Sequence, residues 1–232
     1  MMNEQNEDFR MRITRRLNVF FDSPWVTTSD VFSRERLRVI GICTLIFVLS
    51  YALPNRFHVF SPTLLRMTEL DQVLPFTVES VWVYVSAYLM IYLTFFFTHE
   101  VERANRLVWS FLTLTFMGAI VFWLFPTTYP RSYFPIPEGT VGLSVFVLGQ
   151  LRGVDLPANC LPSLHVAFAF LCAFVFLPDR RRFFAAWFVW AVAIWISTMT
   201  TKQHYFIDGL FGFLLAYIVQ RGWQKRLANL RS

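Results

Sequence analysis

Two histidines in this chain lie beside apolar segments in settings that suit chemistry. One of them, His165, closes a Pro-Ser-Leu-His run at 162–165 just before an apolar stretch, and His204 is followed four residues later by Asp208. Ionisable groups at the mouths of membrane-buried helices are costly to keep, so they usually mark a site. These three side chains are therefore the first candidates for catalysis.

The spacing of His204 and Asp208 predicts an imidazole oriented by a carboxylate. Residues four apart on a helix share one face, with roughly 5 to 6 Å between their Cβ atoms. If Asp208 accepts a hydrogen bond from one ring nitrogen, the other nitrogen is free to act as a nucleophile or general base. The pair resembles two-thirds of a catalytic triad. Taken alone, the same spacing also fits an interfacial histidine and a polar residue bonded within the bundle.

Further residues near these motifs suit a phosphate group. A second histidine, His165, could protonate a leaving group, and a helix beginning at Ser163 and Leu164 could hold an anion at its N-terminus. The cations Arg131 and Lys202 could converge on the same rim and bind phosphate oxygens. Each has a plainer interpretation, because Ser163 could simply cap a helix and the two cations could extend toward lipid headgroups.

Metal binding is a rival interpretation of the same residues. Two histidines and one carboxylate, namely His165, His204 and Asp208, form a familiar ligand set. Catalytic metal phosphatases commonly use more carboxylates, and the loop before His165 offers only Glu138 and Asp155. We therefore expect a mechanism without a metal or other cofactor.

The elements that must position these groups are predicted to be membrane helices. Of the 232 residues, 56% are apolar and 19% aromatic, which is too apolar for a soluble domain of this size. Runs without charge, apart from Asp208, predict an all-α bundle of six transmembrane helices at 39–53, 81–98, 107–125, 164–177, 183–200 and 205–219. The predicted organisation is a basic cytoplasmic segment at 1–38, one catalytic membrane domain at 39–220 and a basic cytoplasmic tail at 221–232. The shorter runs would also fit buried core helices.

The distribution of cations predicts the orientation of the bundle. Sixteen of the 21 Lys and Arg residues fall in the two tails and in the second and fourth loops, so the positive-inside rule places both termini in the cytoplasm. Both histidine motifs then lie on the outer face, which is periplasmic, extracellular or lumenal. The net charge of +6 is explained by this asymmetry, and we find no nucleic-acid motif. The stretch 9–21 suits a helix on the inner membrane surface or a basic tail.

The motifs at 162–165 and 197–208 resemble the second and third signatures of the type 2 phosphatidic acid phosphatase superfamily, usually P-S-G-H and S-R-x5-H-x3-D. The variant P-S-L-H is more similar to the inositol phosphorylceramide synthase-like branch. Two departures stand out: Thr198 replaces the arginine after Ser197, and the first signature, K-x6-R-P, is reduced to Arg131, with Leu124 and Ser132 at its other positions.

The resemblance implies roles for individual residues. His204 would attack phosphorus to form a phosphohistidine, Asp208 would orient it, and His165 would protonate the departing alkoxide. Binding of phosphate oxygens would fall to Ser163 and the backbone near Leu164, together with Arg131 and Ser197, and Lys202 would partly replace the missing arginine.

The function expected from these features is hydrolysis of a membrane lipid phosphate. The alternative within enzymes is a phosphotransferase, in which a lipid hydroxyl accepts the phosphate or headgroup in place of water. The alternative of another class is a channel or a structural membrane subunit. Neither the lipid nor the oligomeric state can be predicted from the sequence.

Overall fold

The computed structural model describes residues 23–136, 141–177 and 179–229, with the side chains of 228 and 229 left aside. The predicted surface helix at 9–21 lies outside these residues. The described chain forms eight α-helices: α1 Arg34–Arg56, α2 Glu69–Val73, α3 Val81–Phe97, α4 Val101–Leu124, α5 Leu143–Val154, α6 Leu164–Phe174, α7 Arg181–Thr200 and α8 Phe206–Asn229. Single 3-10 turns precede α3 at Val78–Ser80 and follow Pro130 at Arg131–Tyr133.

Four helical segments in the described part of the chain are long and apolar enough to cross a membrane: Arg34–Arg56, Val78–Phe97, Val101–Leu124 and Arg181–Thr200. They coincide with predicted spans one, two, three and five, and they support an integral membrane protein. The predicted fourth and sixth spans correspond to α6 and α8, which do not meet the same criteria. The six-span bundle and the cytoplasmic termini therefore stay predictions.

The short helix α6 forms the centre of the bundle. It packs against α3, α4, α7 and α8, and apart from His165 all its side chains are buried. Eleven residues extend about 16 Å, roughly half the thickness of a bilayer core. Because its neighbours enclose α6, its apolar side chains are satisfied by packing, for example by Phe168 between Phe47 and Phe111.

The segments between α1 and α3 and between α4 and α6 join in a layer over one end of the bundle. Thr63–Leu64 (β1) pairs in parallel with Thr127–Thr128 (β2), and Thr127 also bridges to Asn159. These two-residue strands depart from the all-α prediction, because such short segments carry no detectable periodicity. The layer contains α2 and α5 and covers the end at which α7 stops and α6 and α8 begin.

The opposite end of the bundle carries a network of charges. Arg103, near the start of α4, forms ion pairs with Glu100 and Asp179, and Arg180 pairs with Glu100. Arg36 in α1 donates hydrogen bonds to the carbonyl oxygens of Thr98 and His99. Asp179 and Arg180 follow the end of α6, whereas His165 lies at its beginning, so the charge network and the histidine motifs occupy opposite ends of the bundle. These cations belong to the segments that the sequence analysis predicts to be cytoplasmic.

Candidate active site

The first pair of site residues is His204, in a turn, and Asp208, in α8. The Nδ1 atom of His204 lies 2.8 Å from Oδ2 of Asp208, and both side chains are buried. The pair differs from the prediction in one respect, because His204 lies in the turn before α8 rather than on the same helix as Asp208. A carboxylate that accepts from Nδ1–H leaves Nε2 unprotonated, which is the form a nucleophile requires.

The turn that carries His204 is shaped by Lys202. Its backbone φ of 53° lies in the left-handed region, at a cost of roughly 1–2 kcal/mol for a residue with a Cβ. The N–H groups of Gln203 and His204 both donate to the carbonyl oxygen of Thr198, at 2.9 and 3.1 Å. These bonds satisfy the end of α7 and direct the chain back toward α8.

The short helix α2 and its C-cap residue are hydrogen-bonded to the same turn. The ammonium of Lys202 donates to the carbonyl oxygens of Asp71 and Leu74, at 2.6 and 2.7 Å. The carboxylate of Asp71 in turn accepts from the N–H of Phe206 at 2.8 Å. Burial lowers the pKa of Lys202, and the nearby Asp71 partly opposes that change. The hydrogen bonds of the Lys202 ammonium are thus with the protein backbone, and sequence reasoning missed the part that Asp71 plays.

The second motif lies at the beginning of α6 and is bonded to the first. Ser163 caps the helix, with its Oγ accepting from the N–H of Val166. Its own N–H donates to the carbonyl oxygen of Asp208 at 2.9 Å. The rings of His165 and His204 consequently lie with centroids 5.9 Å apart. The first N–H groups of a helix have no intrahelical partner, so the turn containing Leu164 can receive an anion.

Two tyrosines that the sequence analysis missed hold the ring of His165. The hydroxyl of Tyr84 lies 3.2 Å from Nδ1, and that of Tyr88 lies 3.1 Å from Nε2. Both belong to α3 and are four residues apart, so they share one helix face. That spacing of two hydroxyls within an apolar span was the signal available in the sequence, but it does not say which helix they would face.

Arg131, in the 3-10 turn after Pro130, contacts the end of α5. Its guanidinium donates to the carbonyl oxygens of Arg152 and Asp155 and to Oε1 of Gln203, the residue before the candidate nucleophile. The Asp155 carboxylate lies 3.9 Å from the guanidinium and accepts a hydrogen bond from Tyr51 at 2.7 Å. Burial raises the pKa of Asp155, while the Tyr51 hydroxyl and the Arg131 charge oppose the rise. A cation is thus held beside the histidine turn.

A groove between α1 and α3 leads to Asp155 and His165. It has a volume of about 330 Å³ and mostly apolar walls. Its outer part is bordered by Tyr51, Tyr88, Asp155 and His165. The apolar lining includes Ile40, Phe47, Ile91, Phe95, Leu151 and Phe168. A long hydrocarbon chain could lie in this groove while a polar head reaches His165.

Comparison with known proteins identifies the family. The model of the PAP2 superfamily matches residues 51–221, which include every candidate site residue. The chain belongs to the PAP2 superfamily. An uncharacterised protein from Methanocaldococcus jannaschii is 35% identical over 65 residues, a match that covers 28% of this chain and 27% of that protein. The chain thus spans about a quarter of that relative's length.

Membership of the PAP2 superfamily confirms the resemblance read from the two motifs and supports an enzyme with lipid phosphatase or phosphotransferase activity. The similarity to the inositol phosphorylceramide synthase-like branch stays a prediction. Among the residues that the structure describes, no three His, Cys, Asp or Glu side chains form a cluster that could hold a metal ion.

Two adjacent residues of the third signature, Ser197 and Thr198, carry small buried hydroxyl groups. Thr198, at the arginine position, donates its hydroxyl to the carbonyl oxygen of Trp195 at 2.7 Å. Ser197 donates its Oγ to the carbonyl oxygen of Ile194 at 2.6 Å. Both hydroxyls therefore bond within α7. Arg131 contacts the histidine turn through its hydrogen bond to Oε1 of Gln203, the residue before His204.

Proposed function

We propose that this chain is an integral membrane enzyme that hydrolyses a lipid phosphoester at the outer membrane face through a phosphohistidine on His204. The observation that carries the proposal is the buried hydrogen bond between His204 Nδ1 and Asp208, with the ring of His165 beside it. One histidine is prepared as a nucleophile, and a second is close enough to serve the leaving group.

The proposed reaction has two steps, and each accounts for the bonds and protons that change. In the first, the lone pair on Nε2 of His204 attacks phosphorus, the bond from phosphorus to the lipid oxygen breaks, and that oxygen receives a proton supplied by His165. In the second, water attacks phosphorus, the bond to Nε2 breaks, and the proton from water returns to His165. Asp208 stabilises the orientation and the charge of the imidazole in both steps.

Binding of the phosphate is assigned to the helix terminus and the nearby cation. The N-terminal turn of α6 at Ser163 and Leu164 offers backbone N–H groups and the positive end of a helix dipole. Arg131 can supply positive charge beside this turn, and its bond to Gln203 supports this role by holding the guanidinium there. Lys202 and Ser197 stay predicted phosphate ligands, although their observed contacts are with backbone carbonyls.

A phosphotransferase is the second candidate, and the groove favours it. An apolar channel beside His165 would allow a lipid hydroxyl to reach the phosphohistidine in place of water. The P-S-L-H variant, which is similar to the inositol phosphorylceramide synthase-like branch, points the same way. Both candidates use the same first step and differ only in the acceptor.

The outer face is proposed from the charges at the two ends of the bundle. Arg103 and Arg180 lie at the end opposite the histidines, and positive segments are normally retained in the cytoplasm. Substrate would then enter from the outer leaflet.

The test is release of phosphate from a panel of lipid phosphates by the purified protein in detergent and chelator. His204→Ala should abolish release and the acid-labile phosphoenzyme, whereas His58→Ala, which alters an exposed histidine, should change neither. Turnover that survives in His204→Ala would overturn the proposal. A phosphoenzyme that forms but discharges only when a hydroxyl-bearing lipid is added would select the phosphotransferase.

A further inference from the structure

The ring of His165 has no open nitrogen. Tyr84 and Tyr88 place their hydroxyls 3.2 and 3.1 Å from Nδ1 and Nε2. The ring of Tyr84 also packs on the imidazole, with centroids 4.4 Å apart and planes inclined at 35°, and that of Tyr88 meets it edge-on at 5.6 Å. A substrate oxygen could reach either nitrogen directly only by displacing a hydroxyl.

The two tyrosines differ in their access to the groove. Tyr84 is fully buried, whereas Tyr88 is 42% exposed and forms part of the groove wall beside His165. Tyr88 therefore contacts Nε2 through its hydroxyl and also lines the space that a lipid would enter. A tyrosine hydroxyl can accept one hydrogen bond and donate another at the same time, which is what a proton carrier needs.

We propose that Tyr88 is a catalytic residue that carries the proton between His165 and the lipid oxygen, and that Tyr84 is a positioning residue that fixes the imidazole. The proposal rests on the function proposed above and assigns the path of its proton. It explains why a histidine enclosed by two hydroxyls can still serve a leaving group in the groove.

The proton moves from His165 to the leaving group in the first step and returns to His165 in the second. The negative charge of a bound phosphate favours a doubly protonated His165, whose two N–H groups donate to the two tyrosine oxygens and leave the hydrogen of Tyr88 for the substrate. As the bond from phosphorus to oxygen breaks, the departing oxygen takes that hydrogen and Tyr88 takes the proton from Nε2. When the acceptor, either water or a lipid hydroxyl, attacks the phosphohistidine, its proton returns through Tyr88 to Nε2.

The test compares two leaving groups in the first step. One probe is a long-chain alkyl phosphate, whose alkoxide must be protonated as it leaves. The other is a phenyl phosphate with the same alkyl chain on an electron-poor ring, whose phenolate leaves without a proton. Formation of the phosphoenzyme is followed by rapid quench, so that the later step does not limit the measurement.

Tyr88→Phe should slow phosphoenzyme formation from the alkyl phosphate by about 10²- to 10⁴-fold, the range of general acid catalysis, and leave the rate with the phenyl phosphate nearly unchanged. Tyr84→Phe should slow the alkyl phosphate to a smaller extent and also leave the phenyl phosphate nearly unchanged, because the imidazole that Tyr84 fixes supplies a proton that only the alkoxide needs. Tyr217→Phe is the matched control, because Tyr217 is 44% exposed, much like Tyr88, but lies on α8 against Phe174 and does not line the groove. Its rates should equal those of the parent protein.

Three results would overturn the relay. Equal loss with both probes in Tyr88→Phe would mean that Tyr88 acts outside proton transfer, and a selective loss no larger than that of Tyr84→Phe would make it a positioning residue. No loss with either probe would mean that His165 reaches the substrate directly. A phosphoenzyme on His204 in these variants would still uphold the proposed function. Failure of that function would instead appear as the absence of any phosphoenzyme in the parent protein.

Discussion

The contact between α8 and the start of α6 allows a sharp test of how the two histidines are held together. Gly212 lies against the backbone of Ser163, and a Cβ added there would meet Ser163 O at 2.4 Å and Ala167 N at 3.2 Å. Neither atom belongs to a flexible side chain. Gly212→Ala should therefore separate α8 from the helix that carries His165.

The size of the effect follows from that distance. Ordinary contacts with a Cβ begin near 3.4 Å, so the backbone of Ser163 must move by about 1 Å. Overpacking costs about 1–3 kcal/mol, and replacing glycine by alanine in a helix returns about 1 kcal/mol, so the variant should still fold. A shift of about 1 Å in a catalytic group can lower the rate by about 100-fold. We therefore expect a large loss of kcat with a modest loss of stability.

The assay is kcat for phosphate release or transfer, measured beside the thermal unfolding temperature in detergent. Gly222→Ala is the matched control, because it lies on the same helix with nothing within 4 Å of the added Cβ. It should keep its activity and gain up to about 1 kcal/mol of stability. Wild-type kcat in Gly212→Ala would refute the idea that this close approach sets the geometry of the site.

Three other substitutions test the surroundings of the nucleophile. Asp208→Asn should lower kcat by up to about 10⁴-fold with little change in KM, because an amide permits the wrong tautomer of His204; an unchanged kcat would argue against the orienting role. Lys202→Met should destabilise the protein by about 1–3 kcal/mol for each carbonyl left without a partner, measured by thermal unfolding, and an unchanged KM would refute its predicted role in phosphate binding. Burial raises the pKa of Asp155 in the folded protein. Protonated Asp155 therefore stabilises the folded state fully at a pH below the unfolded pKa of about 3.9, and this stabilisation is lost as pH rises through the folded pKa. Asp155→Asn should remove this pH dependence of stability. Unfolding temperatures of the two proteins that change in parallel across acid pH would contradict the expectation.

The residues that could be predicted from the sequence are those whose chemistry is local. His204 and Asp208 are four residues apart, and Ser163 and His165 stand at a helix start, so spacing and residue type were enough to pair each set. The long apolar runs were recognised for the same reason. Their uninterrupted length predicts a membrane helix whatever its neighbours are.

The residues that were missed act across long stretches of chain. Tyr88 meets His165 from a helix 77 positions earlier, and Asp71 meets Phe206 from 135 positions away. A tyrosine in an apolar span is common, and nothing in its flanking residues identifies the helix it will face. Lys202 illustrates the same limit, because its proximity to His204 in sequence indicated a phosphate ligand while its side chain contacts α2.

The shortness of α6, which weakened its assignment as a span, has a consequence for the chemistry. One end of α6 meets Arg106, which donates to the carbonyl oxygen of Val175, and the other end places Leu164 against Gly118 of α4. The helix α4 continues for six residues beyond Gly118 to Leu124, which at 1.5 Å per residue is about 9 Å. The beginning of α6 therefore lies about 9 Å short of the C-terminal end of α4. A longer α6 would carry His165 closer to that end of α4, whereas this one holds it between the helices beside a mostly apolar groove, where the lower local dielectric strengthens its hydrogen bonds.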